Sequence, residues 1–510
     1  MTLLSRIAGF VREILTAAFL GAGPVADTFF QALTIPNTFR RIFAEGAFNA
    51  AFVPLYAKTM EGEGLSEADQ FAREALSVLI TATAFIVLIF QIAAPWLAYI
   101  FFPGSISDPG ALAFGAMLLQ ITMPYLLTMA ILALISGALN SHGKFAAAAG
   151  APVFFNLVLI AILAVDIWQD AALATALSVG VTASGVIQAL VIFIAARRTG
   201  IAIRWTPPRL TPKVKRLIAL GIPGALAAGV TQINVLVTSS IAMLEAGARS
   251  WLNYAERLYQ LPLGVIGIAM GIALLPNLAR RVRAGDEAGS LDTMNRSIEL
   301  ALAFTLPAAV AFFLIPEFII SGLYERLRFT ADDTVQTAMA LKIFALGVPA
   351  FILIKVFQPG FFAREDTRTP MVYSLIGVAV NFVLALVLFF GPMGFVGLAI
   401  ASTVAGWATV SLLVATLYAR GHFKPDPRLI SRVLRLVLAS ALMGAGVWAL
   451  VYNQIPAIPA FSGVTGLLIV VPAGGALYAL ACVASGALRP RELISALKPA
   501  KGAPPSLDAD

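Results

Sequence analysis

Apolar residues in this chain come in long unbroken runs rather than in alternation with polar ones. Runs of about 20 residues or more recur from end to end, the length that crosses a hydrocarbon core as a helix. Read against Gly, Pro and charged turns, they predict fourteen helices: 3–22, 26–58, 75–102, 110–140, 148–166, 171–197, 213–244, 250–280, 296–323, 334–362, 369–390, 395–419, 431–453 and 463–487. The expected fold is an all-α polytopic membrane protein.

The connections differ in charge. With the N-terminus inside, the inner loops include KTMEGEGLSEADQFARE, NSHGKF, ARRVRAGDEAGSLDTMNR, REDTRTP and RGHFKPDPR, while the outer ones include GAGPVAD, FFPGSISDPG, LEAGARS and YERLRFTADD. Of the 35 Lys and Arg residues, 25 fall on the inner side and only Arg249, Arg326 and Arg328 on the outer. That asymmetry predicts cytoplasmic termini.

The first six helices resemble the next six at an offset of about 225 residues. IPNTF around Pro36 matches LPLGV around Pro262, VPLYAK at Pro54 matches LPNLAR at Pro276, and NLVL at Asn156 matches NFVL at Asn381. Pro95 parallels Pro316, and Pro124 parallels Pro349. Six is even, so both copies share one orientation, as parallel repeats about an axis along the membrane normal. The expected organisation is an N-lobe over 1–200, a C-lobe over 201–425, two additional helices within 426–488, and a cytoplasmic tail over 489–510. Two six-helix lobes describe an alternating-access transporter better than a channel or an enzyme.

Composition narrows the chemistry. The chain is 59% hydrophobic and 12% charged, against about a quarter charged in soluble proteins. One cysteine, Cys482, and two distant histidines, His142 and His422, give no disulfide framework and no metal-ligand spacing. No metal or cofactor is expected. The net charge of +8 reports topology, since no soluble basic domain exists to bind nucleic acid. Arg6 and Arg12 before a short apolar stretch belong to the first helix rather than to a signal peptide. No P-loop, HExxH or GxSxG motif is present, and the outer loops are too short for a catalytic domain.

Charges at membrane depth carry the functional reading. Beyond the 25 inner and three outer ones, the seven remaining basic residues lie within the helices: Arg6, Arg12, Arg40, Arg41, Arg257, Lys342 and Lys355. The acids placed there are Glu13, Asp27, Glu45 and Glu256. Each charge costs roughly 2.5–3.5 kcal/mol unless it meets a partner or a wet cavity. In TIPNTFRRIFAEGAFNAAFVP, Arg41 and Glu45 are four apart and can neutralise one another. Arg40 points about 100° away from Arg41 and has no acid three or four residues distant. Arg12 and Arg257 are adjacent to Glu13 and Glu256, hence on other azimuths. Three such guanidiniums form a candidate anion site, because the planar fork binds phosphate oxygens bidentately. Pairing across helices with Asp27 or with carbonyls is the alternative, and Asp27 itself reads equally as the N-cap of the second helix.

At SRIAGFVRE, ADTFF, PNTFRRIFAEGAFNAAFVP, WLNYAERLYQLPLGVIG, ALLPNL and KVFQPGFFAREDTRTP the chain resembles the MurJ (MviN) family of lipid II flippases. The family lies within the multidrug/oligosaccharidyl-lipid/polysaccharide exporter superfamily. The resemblance covers essentially the full chain. It implies a monomeric, non-enzymatic transporter of the bacterial inner membrane, surrounded by membrane lipids and associated with cell-wall synthesis proteins. Its substrate would be the undecaprenyl-diphosphate-linked peptidoglycan precursor. It assigns substrate binding to Arg12, Arg40, Arg257, Arg6 and Asp27, with Glu13, Arg41, Glu45, Ser250 and Gln260 as further cavity residues. It also implies a groove for the polyprenyl tail on the last two helices. Two departures stand out: Gln260 replaces an acid found in some relatives, and Thr238 replaces an aspartate of a proposed sodium site. A drug or small-cation antiporter of the same superfamily is the alternative, but it predicts acids rather than arginines in the N-lobe.

Overall fold

The computed structural model describes residues 2–42, 47–165, 170–201, 206–269, 274–454 and 463–487. All regular structure in these residues is helical. The helices, in chain order, are α1 (Thr2–Leu20), α2 (Pro24–Arg40), α3 (Ala47–Glu63), α4 (Leu65–Phe101), α5 (Pro109–Thr122), α6 (Tyr125–Ser141), α7 (Phe145–Leu163), α8 (Asp170–Arg198) and α9 (Pro212–Ala242). They continue as α10 (Ala248–Ala269), α11 (Leu275–Arg283), α12 (Glu287–Leu314), α13 (Pro316–Tyr324), α14 (Ala331–Phe362), α15 (Arg368–Leu388), α16 (Gly394–Ala419), α17 (Pro427–Ala449) and α18 (Gly463–Ala484). Among the described residues nine helical stretches are long and apolar enough to cross a membrane, or ten when the bent α9 counts as one. The protein is therefore a multi-pass membrane protein.

Two predicted inner loops are largely helix. KTMEGEGLSEADQFARE is divided between the end of α3 and the start of α4, so α4 reaches 37 residues. Its Glu, Ala, Lys and Arg residues favour helix once they leave the bilayer, and only Gly64, at φ 94°, forces a break. Similarly, α12 begins at Glu287, nine residues before the predicted start at 296. There Asp286 accepts from Gly289 N at 2.8 Å as an N-cap. Proline sets the internal breaks: Pro124 separates α5 from α6 and Pro316 opens α13.

The chain forms two compact units. The first comprises Met1–Leu258, Leu323–Phe344 and Arg368–Thr409. Its α3, α4, α6, α8 and α9 enclose a core around Phe52, Tyr56, Phe71 and Leu134. Helices α6, α7 and α8 approach closely through glycine. A Cβ at Gly180 would lie 2.4 Å from Ile162 Cδ1, and one at Gly185 2.2 Å from Thr128 Oγ1. In hydrocarbon, where lipid tails compete for apolar contact, such small residues let helices associate. The two asparagines singled out by the repeat play parallel parts. Asn156 of α7 donates to Ser5 O of α1 (3.0 Å), and Asn381 of α15 accepts from Asn234 of α9 (3.0 Å).

The second unit comprises Tyr259–Gly322, Ala345–Thr367 and Val410–Asp510. Within it α17 packs against both α12 and α18. Gly444 faces Val310 and Leu314, while Gly474 faces Val447. One end of the pair carries charges. Glu299, 4% exposed, binds Arg432 at 3.0 Å and also Arg296, which in turn reaches Asp426, the N-cap of α17. This corrects the inventory of acids within the predicted helices. Glu299 belongs to it and is neutralised locally, and Glu317 sits exposed in the first turn of α13.

Replacing Gly185 by Val should force α6 and α8 apart and lower the thermal midpoint of the purified protein, at a cost of about 1–3 kcal/mol. A thermal melt followed by size-exclusion fluorescence reads this out; an unchanged midpoint would mean the helices do not rely on that contact.

Candidate anion site

Helix α1 carries the residues that bring the site together. Arg12 and Glu13 are neighbours, and an ideal helix separates their azimuths by about 100°. The long Arg12 side chain nonetheless bends back, and its Nη2 donates to Glu13 Oε2 at 3.0 Å. Its Nη1 donates to Asn156 Oδ1 at 3.2 Å, and its guanidinium lies 5.1 Å from the centroid of Phe155. Arg257 of α10 reaches the same Glu13 oxygen from another helix, with Nε at 3.6 Å. Asn253, one turn before Arg257, donates to Glu13 Oε1 at 2.7 Å. Glu13 is 2% exposed.

The expectation that Arg12 and Arg257 lack acidic partners is therefore corrected: both use Glu13. Azimuth arguments concern one helix surface and say nothing about a carboxylate meeting a cation from a different helix. The surplus of charge survives, because two guanidiniums share one carboxylate. The half-exposed Arg257 presents the rest of its fork outward.

Asp27 caps a helix, but not its own. The N-cap of α2 is Gly23. The Asp27 carboxylate instead accepts from Gly247 N (2.6 Å), Ser250 N (2.8 Å) and Ser250 Oγ (2.6 Å), sealing the start of α10. These are orphan donors at a helix N-terminus, where a carboxylate also complements the dipole. Gly247, at φ 86°, permits the turn, and its α-carbon faces the Trp251 ring closely. Asp27, Gln31 and Thr34 lie on one face of α2 at i, i+4 and i+7. Each bonds to α9 or α10: Gln31 Nε2 donates to Ser240 Oγ at 3.0 Å, and Arg249 Nη2 donates to Thr34 Oγ1 at 2.8 Å. The end of α1 is fixed too, since Tyr254 donates to Gly21 O (2.8 Å) and Arg328 N to Ala18 O (3.0 Å).

The remaining expected residues are placed differently. Arg40, read as lacking a local partner, donates from Nε to Asn37 Oδ1 at 3.2 Å, so an amide does what no acid could. Arg41 is exposed, and its expected partner Glu45 lies outside the described residues. Arg6 and Gln260 are exposed. Thr238 stands 3.4 Å from Asn381, whose amide donates to Ser402 at 3.1 Å. Asn253, Asn156 and Arg249 were not among the expected site residues. Asn253 was legible as the i−4 neighbour of Arg257, and Asn156 as a repeated position. Arg249, assigned to a loop, is buried in α10.

Glu13→Ala should leave Arg12 buried without its anion and destabilise the protein by about 3–5 kcal/mol. The double variant Arg12→Ala, Glu13→Ala should be more stable than Glu13→Ala alone in a thermal-melt cycle. Additive losses would mean that the two residues are not coupled.

The chain is similar to known proteins over nearly its whole length. Residues 16–462 match the family model described as lipid II flippase MurJ. A probable lipid II flippase MurJ of Rhizobium meliloti is 47% identical over 454 residues, covering 88% of this chain and 85% of that one. The corresponding protein of Vibrio cholerae is 33% identical over 462 residues, covering 88% and 87%. Among solved structures, lipid II flippase MurJ in an inward closed conformation aligns with a TM-score of 0.77 at 24% identity, covering 97% of this chain and 98% of that one. An inward-facing multidrug resistance MATE transporter aligns at 0.68 with 14% identity, covering 86% and 95%. These structural likenesses concern the fold, whereas the sequence matches give the kinship: the chain belongs to the MurJ family of lipid II flippases.

Proposed function

We infer that this chain is a lipid II flippase. It would carry the polyprenyl-diphosphate-linked precursor of peptidoglycan across the bacterial cytoplasmic membrane, from the inner leaflet to the outer, without covalent chemistry. The observation that carries the reading is that the buried Arg12 and the half-exposed Arg257, from separate helices, share the buried carboxylate of Glu13. An incoming diphosphate supplies the negative charge that one carboxylate cannot. Its oxygens suit guanidinium forks, which stay charged in a dry cavity. Arg40 and Arg6 complete the proposed set, with Asp27, Ser250, Arg41, Glu45 and Gln260 around it.

The proposed fourteen spans combine the apolar stretches with the charged ones. Arg368–Ala419 is 52 residues long and breaks at its middle, so it serves as two spans. Three further spans are proposed from α1, from α2 with α3, and from α10 with α11, the helices that carry the proposed site. Counting them with the bent α9 brings the total to fourteen, with both termini cytoplasmic. The parallel roles of Asn156 and Asn381 support two six-span lobes. On this reading, the α2 contacts to α9 and α10 hold the outer side closed, and release of substrate requires them to part. Differential contacts in the two states would drive that change. Exposed Leu434, Leu438 and Leu442 of α17 and Leu468 of α18 suit a polyprenyl tail. The antiporter alternative is less supported, since its likeness rests on fold alone.

In a strain depleted of its own lipid II flippase, the wild-type chain should support growth, whereas Arg257→Ala and Arg40→Ala should each fail at unchanged membrane levels. Normal growth with either variant removes that arginine from the site.

A further inference from the structure

Arg249 is a cation that the proposed substrate site does not use. It is the second residue of α10 and only 8% exposed. Its Nη2 donates to Thr34 Oγ1 of α2 at 2.8 Å, while the Thr34 hydroxyl donates to Phe30 O at 2.7 Å. Its Nε is buried without a hydrogen-bond acceptor. A buried guanidinium with an unmade bond is costly to leave in one place.

A second candidate partner lines the same cavity. Glu256 follows Arg249 by seven residues, hence on the same face of α10 and about 10.5 Å further along the axis. Both side chains line a cavity of about 120 Å³ together with Asn234, Thr238, Asn381 and Ser402. That space admits several waters at about 30 Å³ each. No ion pair joins Arg249 to Glu256, and the charged groups around Arg249 are Glu256, Asp27, Arg257 and Glu13. Glu256 is faced in turn by Arg249, Arg257 and Arg41. The residues that α9, α15 and α16 contribute to the cavity wall are all uncharged.

We propose that Arg249 is a two-position switch, bound to Thr34 while α2 is closed on α10 and paired with Glu256 across the cavity once α2 moves away. When Thr34 departs, Arg249 loses its side-chain acceptor, and Glu256 is the carboxylate lining the same cavity that can replace it. Glu256 on the same helix receives it without requiring any further movement of the backbone. The two partners thus set the balance between the closed and open outer sides, because each holds the guanidinium directly in only one of the two states. This rests on the alternating-access reading above.

Access from the outer side tests it. Ser239 lines the same cavity, so Ser239→Cys in a Cys482→Ser background reports opening through labelling by a membrane-impermeant thiol reagent added from outside. Thr34→Val should speed labelling and Glu256→Gln should slow it, each by roughly three- to tenfold, the range one hydrogen bond is worth. Thr34→Ser should restore the parent rate, and Glu256→Asp should fall between parent and Glu256→Gln. Membrane levels of all variants are measured in parallel. Labelling that shifts in the same direction in both variants, or in neither, overturns the switch. Lipid II flipping by the parent protein is assayed separately. Its absence would count against the transport reading, whereas opposed labelling shifts would still support the switch.

Discussion

The rest of the site depends on one carboxylate in a place where charge is expensive. Glu13 sits almost fully buried on α1 and holds Arg12 of its own helix and Arg257 of α10. Removing a charge from water costs several kcal/mol, and only good geometry with extra hydrogen bonds offsets it. Asn253 supplies one such bond to the acid and Asn156 another to the arginine. With two cations on one anion, each guanidinium has a carboxylate partner and the layer keeps the net positive charge that the proposed anion site needs. A neutral cluster would lack the second property, and three unpaired guanidiniums would lack the first.

The same economy recurs along α2. Its polar face bonds to α9 and α10 at Asp27, Gln31 and Thr34, and no two of these contacts are chemically alike. A carboxylate seals a helix start, an amide meets a hydroxyl, and a hydroxyl receives a guanidinium. Each is short-ranged and directional, so a small separation of the helices breaks all of them together. That is what a gate requires: rungs strong enough to close, but too local to resist once substrate contacts favour the other state. An apolar face of equal area would loosen gradually, because dispersion and burial are not directional.

Much of the architecture was legible before any coordinates. Run lengths located many helix ends to within a few residues, because the bilayer imposes the length of a span, but they missed the breaks at Pro124 and Pro316. They failed at KTMEGEGLSEADQFARE and at the start of α12. Outside the bilayer hydropathy no longer decides helix ends, and propensity and capping by residues such as Asp286 take over. For the site, residue type was readable and partnership was not. Arg12, Arg257 and Asp27 stood out as charges at depth, yet the sequence could not show that Glu13 serves two arginines or that Asp27 caps α10. Those facts depend on which helices meet. Arg249 was hidden by a loop assignment two residues wide of the helix start, although its i+7 relation to Glu256 is visible in the letters alone.

The central claim is that an arginine layer centred on the buried Glu13 binds the diphosphate of a lipid-linked precursor during its passage. The most direct measurement reconstitutes the purified protein in vesicles with fluorescent lipid II and follows its movement between leaflets. Wild type should flip it, and the double variant Arg12→Lys, Arg257→Lys, which keeps a cation beside Glu13 but loses both planar forks, should not, at equal amounts of folded protein in the vesicles. Flipping at the wild-type rate by the double variant would contradict the account.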